Sequence, residues 1–412
     1  MSKKITHCRI CQTQKFDTIV ELGDQAFTGI FPKTKSQQVP TGELTLVKCK
    51  NCDLVQLAHN FDLNQMYGMN YGYRSGLNQS MVAHLKTRTQ KIQKFVKLSP
   101  GDMVVDIGSN DSTLLRSYER QDLLFLGIDP SGVKFKNYYP DYIKLVPEFF
   151  SAAAIKKSYP GKMVKALTSI AMFYDLEDPI AFAQQIADAL DTDGVWMFEQ
   201  SYVGAMLKTN SFDTICHEHL EYYGLKQIKW ILDAVNMVIL DVEFNDVNGG
   251  SFCITATKKN SLHPTEAPIV TTILQQEKTE GLFNLDTYKA FIDRMNDQKS
   301  KLITFLAEAK LSGKKVFGYG ASTKGNVLLQ YYGISPSDFV AIAEVNEDKF
   351  GSFTPGTLIP ILSEKEVKAM KPDYMVVLPW HFKKGILGRE KEYMNQGGKM
   401  VFPLPELEIV SS

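Results

Sequence analysis

The chain lacks the features that mark a membrane protein or a nucleic-acid-binding protein. Its 46 Lys and Arg residues equal its 46 Asp and Glu residues, so there is no basic excess to attract nucleic acid or an anionic membrane. No apolar run approaches the roughly 18 residues of a spanning helix. The opening residues, MSKKITHCRICQ, contain no apolar core of a signal peptide. We therefore expect a cytoplasmic protein with neither a membrane nor a nucleic-acid partner.

Cysteine is scarce in the chain, and its placement argues against a disulfide-rich fold. Four of the six cysteines form two CxxC pairs, Cys8 with Cys11 and Cys49 with Cys52, separated by residues 12–48. Two such turns can close a tetrahedral site of four thiolates, which is typical of structural zinc. The intervening segment predicts short strands and loops that could not bury a core unaided, so zinc would supply folding energy. A redox CxxC is the alternative, but that chemistry uses one pair beside a βαβ unit.

At 412 residues, 44% of them apolar, the chain is long enough for two or three domains with cores of their own. The sequence pattern predicts a zinc-binding domain and linker at residues 1–75, a first α/β domain at 76–258 and a second at 259–412. A stretch rich in tyrosine and glycine, residues 62–76, precedes the first α/β domain. It has two interpretations: a linker packed on the next domain, or a lid whose phenols, such as that of Tyr71, reach a polar substrate.

The chain also lacks the GxGxxG turn of dinucleotide-binding proteins at its first strand and helix. An apolar run leads into Asp106 and Gly108, and a helical pattern begins at Thr113. A second apolar run ends at Asp129, where a Rossmann-type fold holds a ribose through its hydroxyls. A turn of this DxG kind before such an acid is typical of methyltransferases that use S-adenosylmethionine (SAM). A Rossmann scaffold without a nucleotide and an NAD enzyme are the alternatives.

Later strand ends of the first α/β domain should face the same crevice, because the carboxyl ends of parallel strands meet at one edge. Glu148 and Phe149 follow the third strand and could flank an adenine, although Phe149 also suits a core position. The fourth strand ends at Ser169, and Met172 and Tyr174 come after it. The predicted SAM-binding residues are Asp106, Gly108, Asn110, Asp111, Asp129, Pro130, Glu148, Phe149, Ser169 and Met172.

The segment 213–223, DTICHEHLEYY, is the densest in titratable groups. His217 and His219 flank Glu218, but HEH is not the HExxH motif of zinc enzymes, since on a helix the two rings would diverge by about 200°. Imidazole titrates near working pH, so either histidine could act as a general base. Cys216 could be a covalent nucleophile, but the sequence shows no catalytic partners for it in a recognisable order along the chain.

The last third of the chain repeats the Rossmann-type pattern. After a long amphipathic helix predicted at Leu285–Leu311, an apolar run leads into the turn GYGASTKGN at 318–326. Backbone N–H groups at a helix start, together with Lys324, would cradle a pyrophosphate. Polar and aromatic groups at two further strand ends could contact a ribose, a base or a sugar. The predicted substrate-binding residues are Tyr71, Tyr174, Gly320, Ala321, Lys324, Asn326, Glu344, Asn346, Trp380 and His381.

Taken in order, these motifs resemble one family along essentially the whole chain. The two CxxC pairs, VDIGSNDSTLL, TSIAMFYDLEDP, FEQSY, DTICHEHLEYY and GYGASTKGN are similar to those of the nucleotide-diphosphosugar C-methyltransferases. The resemblance implies an α/β fold, with a class I SAM methyltransferase Rossmann-like domain between a small N-terminal zinc-binding domain and a C-terminal Rossmann-like domain. It also implies His219 as the catalytic base, with Glu218 and Tyr222 orienting or polarising the groups around it.

Two positions depart from the family pattern. Ser112 stands in the SAM turn where glycine is expected, a position that serine can take if its φ is negative. Cys216 stands where some members have a tyrosine, a second candidate base. Its replacement leaves the role of base to His219.

The resemblance implies a SAM-dependent enzyme that methylates a ring carbon, C3 by family analogy, of a nucleotide-linked 4-keto-deoxysugar. A neighbouring carbonyl is needed because a ring C–H is otherwise too weak an acid. The cofactors would be SAM and a structural Zn²⁺, and the enzyme would be a monomer or a weak homo-oligomer. O- or N-methylation of a small metabolite and a non-catalytic SAM-binding scaffold are the competing functions. The first turn disfavours an NAD-linked sugar oxidoreductase.

Overall fold

A computed structural model of the chain describes residues 2–62, 66, 73–263 and 265–412. Tyr71, predicted to contact substrate, lies outside the described residues. Within those ranges, no helix has both the length and the apolar character needed to cross a bilayer. The strands in the described part of the chain form sheets of four, seven and six strands and a two-stranded ribbon.

The N-terminal unit is a small antiparallel sheet beside the two CxxC turns. Its strands are β1 (Lys3–Lys4), β2 (Phe16–Ala26), β3 (Thr41–Cys49), β4 (Val55–Leu57) and β5 (His59–Asn60). β1 pairs with β5 as a separate ribbon, whereas β2, β3 and β4 are neighbours in the main sheet. Phe16 pairs with Cys49, so the strand that leads into the second CxxC turn is held against β2.

The central unit is a seven-stranded sheet with apolar clusters on both faces, which is why its strands read as continuous apolar runs. The strands within residues 103–258 are β6 (Met103–Ile107), β7 (Leu124–Ile128), β8 (Ile143–Val146), β9 (Val164–Ile170), β10 (Leu190–Ser201), β11 (Glu221–Tyr222), β12 (Met237–Asn245) and β13 (Ser251–Lys258). The order across the sheet is β12-β13-β10-β9-β6-β7-β8, and β13 runs antiparallel to both neighbours. β11 belongs to a different sheet.

Helices cover this sheet and begin where capping residues allow. Asn78 accepts a hydrogen bond from Ser80 N at the first helix, and Asp178 accepts one from Ala181 N at the fifth, which has Pro179 in its first turn. The helices are α1 (Gln79–Ile92), α2 (Thr113–Arg116), α3 (Gly132–Phe135), α4 (Ala152–Ser158), α5 (Pro179–Ala189), α6 (Val203–Thr209) and α7 (Leu225–Ala234).

The C-terminal unit is a second doubly wound sheet. Two helices lead into it, α8 (Pro268–Thr279) and α9 (Leu285–Leu311), and α9 confirms the helix predicted from the sequence. Its strands are β14 (Val316–Tyr319), β15 (Ile342–Glu344), β16 (Ile361–Ser363), β17 (Tyr374–Val377), β18 (Lys399–Phe402) and β19 (Glu408–Val410). Its helices are α10 (Thr323–Tyr332), α11 (Glu364–Ala369), α12 (Lys383–Arg389) and α13 (Lys391–Asn395). The order β16-β15-β14-β17-β18-β19 is the Rossmann order, with β19 antiparallel.

The three units share one core, because a single cluster of buried apolar residues continues through all of them. β11 leaves the central unit and pairs with β4 as the edge strand of the N-terminal sheet. From the C-terminal unit, Asn326 Nδ2 donates to Thr28 O at 2.8 Å, and Gln330 Oε1 accepts from Ala26 N at 2.8 Å. The N-terminal unit therefore contacts both other units. Residues 213–223 lie where all three meet, and they are called the base segment because they contain the predicted base His219.

The structure corrects the expectation about Ser112. Its φ is +60°, not negative, in a turn where Gly108 and Asn110 also have positive φ. This left-handed region favours glycine, so serine there is strained. The hydroxyl of Ser112 offsets part of that cost by donating to the Tyr138 carbonyl oxygen at 2.9 Å. The turn keeps its geometry because several residues, and not one glycine, determine it.

Candidate active site

The four cysteines of the two CxxC turns converge as predicted. Their Sγ atoms all lie within 4.8 Å of one another, with Cys8 3.5 Å from Cys52 and Cys11 3.4 Å from Cys49. The N–H groups of Asn51 and Cys52 donate to Cys49 Sγ at 3.3 and 3.4 Å. Hydrogen bonds from neighbouring thiols lower the pKa of Cys8 to about 3. Clustered thiolates with backbone donors suit a bound dication, so the group fits a structural zinc ion.

The turn after β6 forms the cleft predicted to hold SAM. Gly108 has φ +72°, and a Cβ there would lie 3.2 Å from Met172 Cγ, so the close approach needs glycine. The Asp129 carboxylate, at the end of β7, accepts hydrogen bonds from Asn110 N at 2.8 Å and Ser131 N at 2.6 Å. It thus ties the turn to the second strand. A carboxylate has about four lone-pair sites, so it can still accept from ribose hydroxyls.

Three other predicted SAM residues near this edge differ in what surrounds them. Asp106 is buried, accepts a hydrogen bond from Thr168 Oγ1 at 2.6 Å, and has its pKa raised to about 7 by burial. Ser169 is fully buried, and its Oγ accepts from Trp196 Nε1 at 3.0 Å. Phe149 is 44% exposed, so it is not a core residue. Asp106 and Ser169 therefore support the cleft from within, while Phe149 is open to a ligand.

The polar residues of the turn also fasten the segment before α1. Asn110 Oδ1 accepts from Ser75 N at 2.9 Å, and Asp111 Oδ2 accepts from Gly76 N at 3.0 Å. This part of the tyrosine- and glycine-rich stretch therefore packs on the next unit. Three more predicted SAM residues are half-buried or exposed, namely Pro130, Glu148 and Met172.

His219 lies between the 3₁₀ turn Phe212–Thr214 and β11, half-buried beside a small cavity. Its Nδ1 is 2.9 Å from the Thr214 carbonyl oxygen, which can only accept a hydrogen bond. The proton therefore sits on Nδ1, and the lone pair of Nε2 is left to accept another. The ring packs edge-on against Tyr174, with centroids 4.4 Å apart. This geometry holds the imidazole in one tautomer and one orientation.

The cavity beside His219 is also lined by Tyr174, Thr214, Glu221 and Tyr222. Its volume is about 10 Å³, room for about one water molecule, so a sugar ring enters only if neighbouring side chains move. Burial and the nearby positive charge of Lys324 lower the pKa of His219 to about 3. The ring is therefore neutral at neutral pH, as a general base must be.

Glu218 and Tyr222, the predicted partners of the base, take different positions. Tyr222 donates to the same Thr214 carbonyl oxygen as His219, at 3.2 Å. Glu218 is buried, and its Oε2 accepts from Thr28 Oγ1 of the N-terminal unit at 3.3 Å. Burial raises the pKa of both side chains. Tyr222 and His219 thus bond to the same carbonyl oxygen, whereas Glu218 links the base segment to the N-terminal unit.

His217, the other candidate base, is a packing residue. It is fully buried, with its ring 4.6 Å from Phe27 and 4.8 Å from Phe61 between centroids. Its Nε2 donates to Gly42 O at 3.1 Å, and burial lowers its pKa to about 4. Of the two histidines, His219 is the one that lines the cavity.

Cys216 and the HEH motif give no support to covalent or metal chemistry at this segment. Cys216 is fully buried, and burial together with the charge of Glu218 and Asp175 raises its thiol pKa well above the usual value. Among the residues that the structure describes, the cysteine cluster is the one group of three or more potential ligands within coordinating reach.

Side chains of the C-terminal unit reach the base segment. Lys324 Nζ donates to Asn248 O at 2.7 Å, and Trp380 Nε1 donates to Asp213 Oδ2 at 2.8 Å. Burial raises the pKa of the fully buried Asp213, while Lys324 and Trp380 act in the opposite direction. The ammonium of Lys324 therefore places positive charge close to both Asp213 and His219.

The turn after β14 repeats the construction of the SAM turn. Gly320 has φ +82°, and a Cβ there would lie 2.7 Å from the Pro379 ring. Glu344, at the end of the next strand, accepts from Ala321 N at 2.9 Å and from Asn346 N at 3.0 Å. A strand-end acid thus ties each Rossmann-type turn to its second strand.

The remaining predicted substrate residues lie in the interface between units. Asn326 is fully buried and donates to Thr28 O. His381 packs on Phe382, with centroids 4.3 Å apart, and burial lowers its pKa to about 3. The indole N–H of Trp380 is occupied by Asp213.

Several groups around the base were not predicted from the sequence. Two of these groups, the Thr214 carbonyl oxygen and the Asp213 carboxylate, lie within the segment 213–223. Every residue has a backbone carbonyl, so the residue type at position 214 could not show that its carbonyl binds His219. Asn248 lies before two glycines, a pattern that indicates a tight turn and not a ligand site. Thr28 has no local pattern that could have identified it.

Three family profiles match successive parts of the chain. They describe a zinc binding domain at residues 8–67, a methyltransferase domain at 81–242 and a C-methyltransferase C-terminal domain at 246–405. The chain belongs to the C-methyltransferase family. The enzyme is a SAM-dependent methyltransferase, and its cofactors are SAM and a zinc ion for which the four cysteines supply the ligands. The predicted family, fold class and cofactors are confirmed.

A full-length relative agrees with this assignment. C-methyltransferase NovU of Streptomyces niveus is 26% identical over 415 residues, which span 100% of this chain and 98% of NovU. Solved structures are less similar. The plantazolicin methyltransferase BpumL in complex with SAH is 13% identical, covers 42% of this chain and 82% of its own, and has a TM-score of 0.34. A SAM-dependent methyltransferase from Clostridium acetobutylicum is 9% identical over 44% and 92%, with a TM-score of 0.33.

Proposed function

We propose that this C-methyltransferase acts on C3 of a nucleotide-linked 4-keto-deoxysugar, with His219 as the general base. The observation that carries the proposal is the fixed tautomer of His219. Its Nδ1–H is held by the Thr214 carbonyl oxygen, and its ring lines a small cavity together with Tyr174 and Tyr222. A carbon acid needs a neutral, oriented base to remove its proton, whereas an oxygen or nitrogen lone pair can take a methyl group without one.

The proton transfer follows from this geometry. His219 Nε2 accepts the C3 proton, and the electron pair of the broken C–H bond moves into the C3–C4 bond while the C4 carbonyl oxygen takes the negative charge. The Thr214 carbonyl oxygen stabilises the resulting imidazolium by accepting from Nδ1–H. The ammonium of Lys324 supplies nearby positive charge against the developing enolate. Bound SAM supplies the methyl group that C3 then takes up.

The two Rossmann-type turns suit the two ligands. Asp129 has remaining lone pairs for the ribose of SAM, and Gly108 lets the ligand approach the backbone. The turn at Gly320 and Ala321 opens a helix, where backbone N–H groups favour a pyrophosphate. Lys324, two residues into that helix, links the pyrophosphate side of the site to the base.

The experiment that tests the function is deuterium wash-in. The enzyme is incubated in D₂O with a panel of TDP-, GDP- and CDP-linked 4-keto-6-deoxysugars, with and without SAM, and followed by NMR and mass spectrometry. We expect exchange at C3 without SAM and a new C–CH₃ group with it. A methyl group on oxygen or nitrogen would establish the competing chemistry, and no transfer with any sugar would support a scaffold.

The pH profile should report a base that is neutral well below pH 7. We expect kcat/KM for C3 exchange to stay flat from about pH 8 down to about pH 6, because the pKa of His219 is about 3. Below about pH 6.5 the unfolded chain takes up protons at His217 and His219 that the folded chain excludes, so stability falls as the pH falls. Rates and circular dichroism are measured together. An acid limb near pH 6.5 in folded protein would show that the pKa of the base is not lowered.

A further inference from the structure

Arg9 lies inside the first CxxC turn, between two zinc ligands, yet its side chain leaves the zinc site. It is 4% exposed, and its guanidinium donates to backbone carbonyls of the N-terminal sheet, Leu57 O at 2.9 Å and His59 O at 3.1 Å. The same NH1 group reaches Leu220 O of the central unit at 3.4 Å. One buried side chain therefore bridges the zinc turn and the base segment.

The residues that Arg9 reaches are those directly after the base. Leu220 follows His219, and its N–H donates to Tyr174 O at 2.8 Å, beside the ring that packs on His219. Glu221 comes next, lines the same cavity and lies 3.7 Å from Arg9 Nε, with both side chains almost fully buried. A displacement of Leu220 or Glu221 would therefore be passed to the imidazole through one or two peptide units.

We propose that Arg9 is a positioning residue, which makes the zinc turn a fixed support for the base segment. This inference rests on the proposed role of His219. The Arg9 guanidinium adds a second donor to Leu220 O, which also accepts from Leu57 N of β4 at 2.9 Å, and zinc would hold the backbone of Arg9 through Cys8 and Cys11. The zinc-binding domain thus acts on the chemistry without touching the substrate.

Arginine suits this position for a physical reason. Its planar fork presents five N–H donors in fixed directions, so it can serve carbonyls from several segments at once. Lysine would keep the charge beside Glu221 but could not hold all of these carbonyls. Methionine would fill a similar volume and remove both the charge and the donors. A comparison of arginine, lysine and methionine at position 9 therefore separates the effects of packing, charge and directed hydrogen bonds.

The test compares Arg9→Met and Arg9→Lys with the native enzyme. Zinc content is measured by mass spectrometry, SAM affinity by calorimetry, the peptide 216–223 by amide hydrogen exchange, and C3–H exchange by kcat and KM separately. We expect Arg9→Met to lower kcat for C3 exchange about 10- to 100-fold with KM and zinc content little changed, because misplacement of a reacting group by about 1 Å costs this much. The peptide 216–223 should exchange faster.

Arg88→Met is the matched control. Arg88 is 5% exposed and pairs with Glu243 at 2.8 Å and Glu199 at 3.3 Å, so its loss also removes the ion pairs of a buried arginine. We expect it to lower stability without faster amide exchange in 216–223. If Arg9→Met loses zinc or fails to fold, Arg9→Lys decides, with a lowered kcat and faster peptide exchange supporting the proposal.

Native kcat and native amide exchange in 216–223 for a zinc-loaded Arg9 variant would overturn the proposal. The amide exchange measurement needs no substrate. It therefore distinguishes a failure of this coupling from a failure of the proposed sugar substrate, in which case no enzyme, native or variant, would exchange C3–H.

Discussion

Replacing His219 by asparagine is expected to lower the rate of C3–H exchange by about 10²- to 10⁴-fold. Asparagine can keep a hydrogen bond to the Thr214 carbonyl oxygen through its amide N–H, so the local fold should survive. It has no basic nitrogen, so no group of comparable basicity faces C3. SAM affinity should stay within about twofold of the native value, since His219 lies outside the predicted SAM turn.

The rate is measured by deuterium wash-in in the absence of SAM, which isolates the proton transfer from the methyl transfer. His263→Asn is the matched control, because His263 bonds to the Asp193 carbonyl oxygen, at the opposite end of β10 from the base segment. Its exchange rate should equal that of the native enzyme. Near-native exchange by His219→Asn would refute the assignment of the base.

Loss of zinc should have the second large effect. In small zinc domains metal binding contributes about 10–16 kcal/mol to folding. Cys49→Ser removes one of four clustered ligands, and Cys49 also ends β3, the strand that pairs with both β2 and β4. We expect the variant to lose its zinc and the N-terminal sheet to unfold, with a clear drop in the thermal midpoint.

Zinc content, thermal unfolding and amide exchange of β2 and β3 are the measurements. Cys253→Ser serves as the control, because Cys253 is equally buried in β13 and lies outside the cysteine cluster. It should keep one zinc per chain and native amide exchange in β2 and β3. A Cys49→Ser enzyme with full zinc content and a native midpoint would show that the cluster is not the metal site.

Both predictions rest on one feature of the architecture, the meeting of three units at the base segment. β11 pairs with β4 of the N-terminal sheet, Glu218 bonds to Thr28, and Asp213 bonds to Trp380 of the C-terminal unit. The base therefore has a fixed position only when all three units are folded. We therefore expect loss of the structural metal to disturb this segment as well.

Residue spacing along the chain was enough to predict the parts that depend on local order. The two CxxC turns, Gly108 followed by Asp129, and the helix Leu285–Leu311 are each defined by short-range patterns, and the structure confirms all three. Thiols three residues apart converge in one turn, and an acid at a strand end meets the preceding turn in any parallel sheet. Such features need no knowledge of distant contacts.

The condition set for Ser112, a negative φ, is not met because it was a purely local rule. Serine normally avoids positive φ, but here the neighbours Gly108 and Asn110 also turn left-handed, and Tyr138 accepts the serine hydroxyl. A tertiary hydrogen bond offsets part of a backbone preference of about 1–2 kcal/mol, and the neighbouring turn residues fix the rest of the geometry. The sequence contained the residues of this arrangement without revealing that they meet.

By itself the sequence determined the chemical parts of this protein: four thiolates for a metal, two Rossmann-type turns, and a segment with two histidines. Only the tertiary structure decided which histidine lines the cavity, since His217 is buried between Phe27 and Phe61 while His219 is held by the Thr214 carbonyl oxygen. It also decided that Arg9 reaches the base segment. The physical reason is that these contacts use backbone carbonyls and residues about 200 positions apart, which leave no periodicity or spacing in a sequence.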